Sequence, residues 1–171
     1  MDQKTMAIVV IVIVIVAVVG VGAYWALTSG GGNGGDETPT GVADATSLQY
    51  SVEITGGESE GTYNFYAKNI GTDDMMIRIE IPLGDDMEFT YIVNGAEQKA
   101  WSNEGSGWVD LSDTFSDQWD LWDPTWQAYT DNLASWTSGD WTYTDTDGST
   151  VTITGITVNP SLADSLFQAE T

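Results

Sequence analysis

The chain contains no cysteine and no histidine, and it has only four basic residues against 26 acidic ones in 171 positions. Each shortage removes a class of function. Without cysteine there is no disulfide framework, no lipidated cysteine, no thiolate metal site and no thiol nucleophile. Without histidine there is no Ser-His-Asp triad and no imidazole ligand for zinc or iron. The formal charge of −22 argues against a nucleic-acid partner, because phosphate binding needs clustered Lys and Arg. No Asn-x-Ser/Thr sequon occurs, and the Gly30–Gly35 run lacks the Lys-Ser/Thr of a phosphate loop. The composition points to no cofactor.

The longest apolar run is Met6–Leu27, 22 residues without a charge. As a helix rising 1.5 Å per residue, it would cross the ~30 Å hydrocarbon layer with a little tilt. Lys4 precedes it, no basic residue follows until Lys68, and Tyr24 and Trp25 lie at its far end. This pattern predicts a transmembrane anchor over 1–28. The N-terminus would be cytoplasmic and the C-terminal domain outside, with the membrane as a partner through residues 6–27. A cleaved secretory signal and a pilin-type leader are the competing readings. The run resembles archaeal pilins and archaellins in its very apolar N-terminal segment before an all-β head. It departs from them in lacking a Gly or Ala after Lys4 and an early glutamate. Residues 29–46, Gly-rich over Ser29–Thr40, read as a flexible linker. Residues 47–171 are then the folded domain, acidic on its solvated surface.

Within that domain the apolar residues alternate. Leu48, Tyr50, Val52 and Ile54 predict one strand, and Tyr63, Phe65 and Ala67 a second. Met75, Ile77, Ile79 and Ile81 give a third, and Met87, Phe89, Tyr91 and Val93 a fourth. Asn94-Gly95 signals a type I′ hairpin. A fifth strand over 96–102 and a sixth from Trp108 to Leu111 follow. After residue 140, Trp141 and Tyr143 alternate with threonines. Val151 and Ile153 then give way to Ile156 and Val158, a phase slip at Gly155 that predicts a bulge. Short turns make successive strands antiparallel neighbours. Asn159-Pro160 starts a short final helix carrying Leu162, Leu166 and Phe167.

Between the sixth and seventh strands the pattern changes. Phe115, Trp119, Trp122, Trp126, Tyr129, Leu133 and Trp136 are spaced 4, 3, 4, 3, 4, 3, a single helical stripe with Ser112 as its N-cap. Pro124 kinks or divides this helix. The expected fold is α+β: a transmembrane helix, then a curled antiparallel meander forming a half-barrel, covered by an aromatic-rich helix or helix pair.

That order of elements resembles the LolA/LppX-like extracytoplasmic lipoprotein-carrier fold. The closest local likeness is Met75–Glu80 followed by the Asn94-Gly95 hairpin, with the aromatic hairpin Lys99–Trp101 to Gly107–Trp108 and the helical insertion beyond. The resemblance implies an apolar cavity between sheet and helix. The lipidated cysteine of many members is absent here.

The expected function is a membrane-anchored, non-catalytic, extracytoplasmic protein that binds an apolar ligand, possibly lipid, between sheet and helix. The candidate lining is Met75, Ile77, Phe89, Tyr91, Trp119, Trp122 and Trp126. The alternative is a structural cell-surface or pilin-like filament subunit assembled through the N-terminal helix. Asp117, Asp120 and Asp123 sit among tryptophans as in sugar clefts, but read as solvated helix faces without the paired geometry of a glycosidase. Asp145–Gly148 opens like a calcium loop, yet lacks the later ligands and reads as a hairpin turn. Arg78 and Lys99 read as surface ion-pair partners.

Overall fold

The computed structural model describes residues 41–56, 60–84, 87–121, 133, 136–144 and 148–170. Eight strands arise where the two-residue alternation runs: β1 (Ser47–Thr55), β2 (Gly61–Lys68), β3 (Met76–Gly84), β4 (Met87–Asn94), β5 (Lys99–Asn103), β6 (Trp108–Asp110), β7 (Trp141–Thr144) and β8 (Thr150–Val158). They form one antiparallel sheet in the order β6-β5-β4-β3-β2-β1-β8-β7. The first six strands are a meander. The chain then returns to the far side, where β8 pairs with β1 and β7 lies outermost.

Successive side chains on a strand point to opposite faces, so register fixes which residues share a face. Tyr50 pairs with Phe65, Phe65 with Ile79, Ile79 with Tyr91, and Tyr91 with Ser102. The next row out runs Leu48, Ala67, Ile77, Val93, Ala100. On the other flank Val52 and Ile54 oppose Ile153 and Val151. These residues form the main core, and the rings of Tyr50 and Phe65 stack at 5.2 Å. Burying one such side chain contributes about 1.5–3 kcal/mol. The opposite face is mixed: Lys68, Arg78, Glu80 and Asn94 stand there beside Tyr66, Ile92 and Trp101, and the C-terminal segment, with a 3-10 turn at Asp164–Phe167, crosses it.

The bulge lies at the expected place. Ser51 pairs with Thr154 but Gln49 with Thr157, so Tyr50 faces two residues, Gly155 and Ile156. Gly155 has φ of 61°, and the apolar phase of β8 shifts there to even numbers. The β4–β5 turn differs from expectation. It spans four residues, Gly95 to Gln98, rather than a two-residue Asn-Gly pair; Gln98 takes the positive φ (52°), and the Asn94 side chain accepts the Glu97 amide. Gly95 is required for a different reason. Its amide donates to the Met75 carbonyl at 2.9 Å, and a Cβ would stand 2.6 Å from the Asp73 carbonyl and 2.7 Å from that of Met75.

Three expectations are corrected. The half-barrel under a helix pair is instead an open sheet with a single short helix among the described residues, α1 over 115–121. The sheet is open because its outermost strands, β6 and β7, each pair on one side only and not with each other. The membrane assignment is corrected to what the described residues show: no helix among them is long and apolar enough to cross a membrane, and the described residues of α1 cover about 10 Å at 1.5 Å per residue. The single-pass placement, with a cytoplasmic N-terminus and an outer domain, is corrected with it. The span expected at residues 6–27, and the 29–46 linker up to residue 40, lie outside the described residues; residues 41–46 carry a 3-10 turn at Val42–Asp44, with Val42 and Ala45 buried in the main core.

Gly95→Ala is expected to destabilise the fold by about 1–3 kcal/mol in urea titration, because two backbone carbonyls must shift. Gly61→Ala, whose Cβ would meet only Tyr63 at 3.4 Å, should change stability by less than about 0.5 kcal/mol.

Candidate functional site

Four of the seven expected lining residues lie together on the apolar face of β3 and β4: Met75 just before β3, Ile77, Phe89 and Tyr91, all between 0% and 4% exposed. They belong to the main core. Trp119, on α1, is partly buried against that core beside Phe115, with ring centroids 5.9 Å apart. Trp122 and Trp126 lie outside the described residues, as do Pro124, Asp123 and Tyr129. At the far end of the aromatic stripe Leu133 is fully buried, and Trp136 packs partly buried on the same face, its indole N–H donating to the Gly139 carbonyl at 2.7 Å. The described ends of the stripe therefore dock on the apolar side of the sheet.

The approach to α1 is built from hydrogen bonds between β5, β6 and the turn at Ser112–Thr114. The Leu111 amide donates to the Ala100 carbonyl at 2.8 Å, and the Ala100 amide to the Ser112 hydroxyl at 3.2 Å. Ser112 is thus not the expected N-cap; its own amide donates to the Asp110 carboxylate at 2.8 Å. Hydrogen bonds from Ser112, first its side chain and then its amide, hold the Asp110 carboxyl below the usual carboxylate range, with a smaller contribution from the charge of Lys99. One turn on, Gln118 reaches down: its side-chain carbonyl receives the Tyr91 hydroxyl and its amide donates to the Thr114 hydroxyl at 3.2 Å. A polar pin therefore joins α1 to the centre of the apolar face.

Two residues escaped the sequence reading. One is Gln118. The other is Ser102, which pairs with Tyr91 across β4 and β5 and is fully buried. Its hydroxyl has no hydrogen-bond partner among the described residues. The signal was present in the alternation of β5, since Ser102 is in phase with Ala100 and so occupies a core position with a polar group. A buried hydroxyl without a partner carries a desolvation penalty of about 1–3 kcal/mol, which makes it a marked position on an otherwise apolar surface.

Other candidates resolve simply. Asp117 and Asp120 are exposed on α1. No group of three acidic residues able to hold a metal ion occurs among the described residues, and Asp145–Asp147 lie outside them. Lys99 makes an exposed pair with Glu97 at 3.2 Å. Arg78 departs from expectation, because it and its partner Glu80 are largely covered, at 14% and 15% exposure. Comparisons with known proteins give no counterpart: no family model, no curated protein and no solved structure matches the chain. Neither these comparisons nor the fold supports a lipid ligand or the lipoprotein-carrier resemblance.

The Asp110 contact has a definite pH dependence. A carboxyl whose folded pKa is depressed stabilises the fold above its unfolded pKa, and the contribution is lost as pH falls through the folded one. The Ser112 amide proton, followed by NMR, should therefore titrate below the ordinary carboxylate range, and Asp110→Asn should remove that titration.

Proposed function

We propose that this chain is a non-catalytic binding protein whose ligand is a neutral, mostly apolar small molecule carrying one hydrogen-bonding group. The ligand would lie between the apolar face of β3–β5 and α1. The observation that carries this reading is the Ser102 hydroxyl: buried, without a partner among the described residues, and beside Tyr91 on a largely apolar face. Phe115 and Trp119 on α1 pack against the same core and are only partly buried. Apolar walls with a few placed polar groups are the usual makeup of small-molecule sites. The strong negative charge favours a neutral ligand over an anionic one. The absence of His and Cys from the sequence supports binding without catalysis. The filament alternative rests on residues 6–27, outside the described residues, and no structural observation favours it.

The test uses the full chain and Nile red, a neutral apolar dye with a carbonyl acceptor. Saturable binding of one dye per chain is expected. Ser102→Ala should leave the fold as stable or raise stability by up to about 1–2 kcal/mol, because it removes the orphaned hydroxyl, while weakening dye binding by about five- to tenfold. Absence of saturable binding, or a Ser102→Ala chain that binds as before, would overturn the reading.

A further inference from the structure

The C-terminal segment leaves a groove where it crosses the mixed face of the sheet. One side of the groove is a cross-strand row, in which Gln49 of β1 pairs with Tyr66 of β2, and Tyr66 with Arg78 of β3. The other side is the segment itself, from Ser161 to Glu170. The groove holds about 490 Å³, a size usual for small-molecule sites.

Its walls are fixed. Asn159 has φ of 55°, and its side chain accepts the amides of Thr46 at 2.8 Å and Ser47 at 3.3 Å. The Ser47 hydroxyl donates to the Pro160 carbonyl at 2.8 Å. Lys68 donates to the Leu162 carbonyl at 2.9 Å and pairs with the Asp164 carboxylate. The Asn94 side-chain amide donates to the Phe167 carbonyl at 3.2 Å, and Phe167 is fully buried with Met76 and Ile92. A groove held at both ends in this way is formed before any ligand enters, which lowers the ordering cost of binding.

The polar groups of the groove divide into two sets. One set is already engaged. Arg78 donates from Nε to the Glu80 carboxylate at 2.6 Å and from Nη1 to the Leu166 carbonyl at 3.1 Å, and the Tyr66 hydroxyl donates to Glu80 at 3.2 Å. The other set is uncommitted. The side chains of Gln49, Ser161, Ser165 and Glu170 line the groove, and none makes a hydrogen bond to a described residue. Leu162, Leu166 and the Tyr66 ring, packed around the same cluster, supply apolar surface between them.

This division selects a class of ligand. An amide, two hydroxyls and a carboxylate offer donors and acceptors together, and a ligand hydroxyl can serve either, because it both donates and accepts. A carboxylate or phosphate only accepts. It would meet Glu170, and it would find the Arg78 fork divided between Glu80 and Leu166 rather than presented as a pair. The chain charge of −22 opposes an anion further. A cation would face the Arg78 guanidinium.

We propose that this groove binds a neutral saccharide, with its hydroxyls on Gln49, Ser161, Ser165 and Glu170 and a C–H face against the Tyr66 ring. The site lies on the face opposite Ser102 and is independent of the ligand reading given above.

The test uses the full chain and the methyl glycosides of glucose, mannose and galactose, added singly, with gluconate as the anionic comparison. The assigned NMR signals of the Gln49 side-chain amide and the Glu170 backbone amide are followed. At least one glycoside should shift both saturably, with half-saturation at or below about 10 mM, and gluconate should bind at least about tenfold more weakly. Gln49→Leu should weaken that glycoside at least about fivefold, read at Glu170. If Gln49→Leu does not fold, Ser165→Ala, at an exposed position, replaces it with the same expected loss. No saturable shift with any of the glycosides, binding of gluconate as tight as theirs, or a folded variant that binds as before would each overturn the proposal.

Discussion

Register is the constraint on which the structure depends. In an antiparallel sheet with side chains alternating every two residues, a slip of one residue would carry the apolar row Tyr50, Phe65, Ile79 and Tyr91 to the other face and bring Arg78 and Glu80 into the core. The chain secures register at several points. Gly95 lets the β4–β5 turn close against the Asp73 and Met75 carbonyls, Asn94 caps the same turn, and Gly155 absorbs the extra residue that keeps β8 in phase with β1. The result is one sheet with two chemically distinct faces, one of hydrocarbon and one of alternating donors and rings.

Each face is covered by a different kind of segment. Over the apolar face, the stretch beginning at Leu111 is joined to β5 by the Leu111 amide and the Ser112 hydroxyl and pinned at the centre by Gln118 on Tyr91. Over the mixed face, the C-terminal segment is held by side chains acting on its carbonyls. The two modes differ in what they leave behind. The first leaves a buried hydroxyl at Ser102 beside Tyr91. The second engages Lys68 and Arg78, half of all the basic residues in the chain, through the carbonyls of Leu162 and Leu166.

The strands were largely legible because alternation is a local property. Leu48 to Ile54 and Ile77 to Ile81 declare their faces without tertiary information, and the phase slip at Gly155 announced the bulge. The sheet's closure was not legible. Nothing local shows beside which strand the returning chain pairs, nor whether the outer strands β6 and β7 meet. The Asn94-Gly95 pair was misread for a related reason: a glycine suited to positive φ was instead needed for close approach to Met75 and Asp73, contacts that only the folded chain reveals. Ser102 was visible as a polar residue in a core phase. The role of Arg78 was not, since the segment that covers it lies 88 positions away.

The account rests on the apolar face accepting a ligand at Ser102. The most direct measurement is NMR of the full chain titrated with a neutral long-chain alcohol, with backbone and hydroxyl-bearing side-chain signals assigned. The account predicts saturable shifts centred on Ser102, Tyr91 and Gln118, with little change at Arg78 and Phe167 on the opposite face. Shifts confined to the mixed face, or none at all, would contradict it.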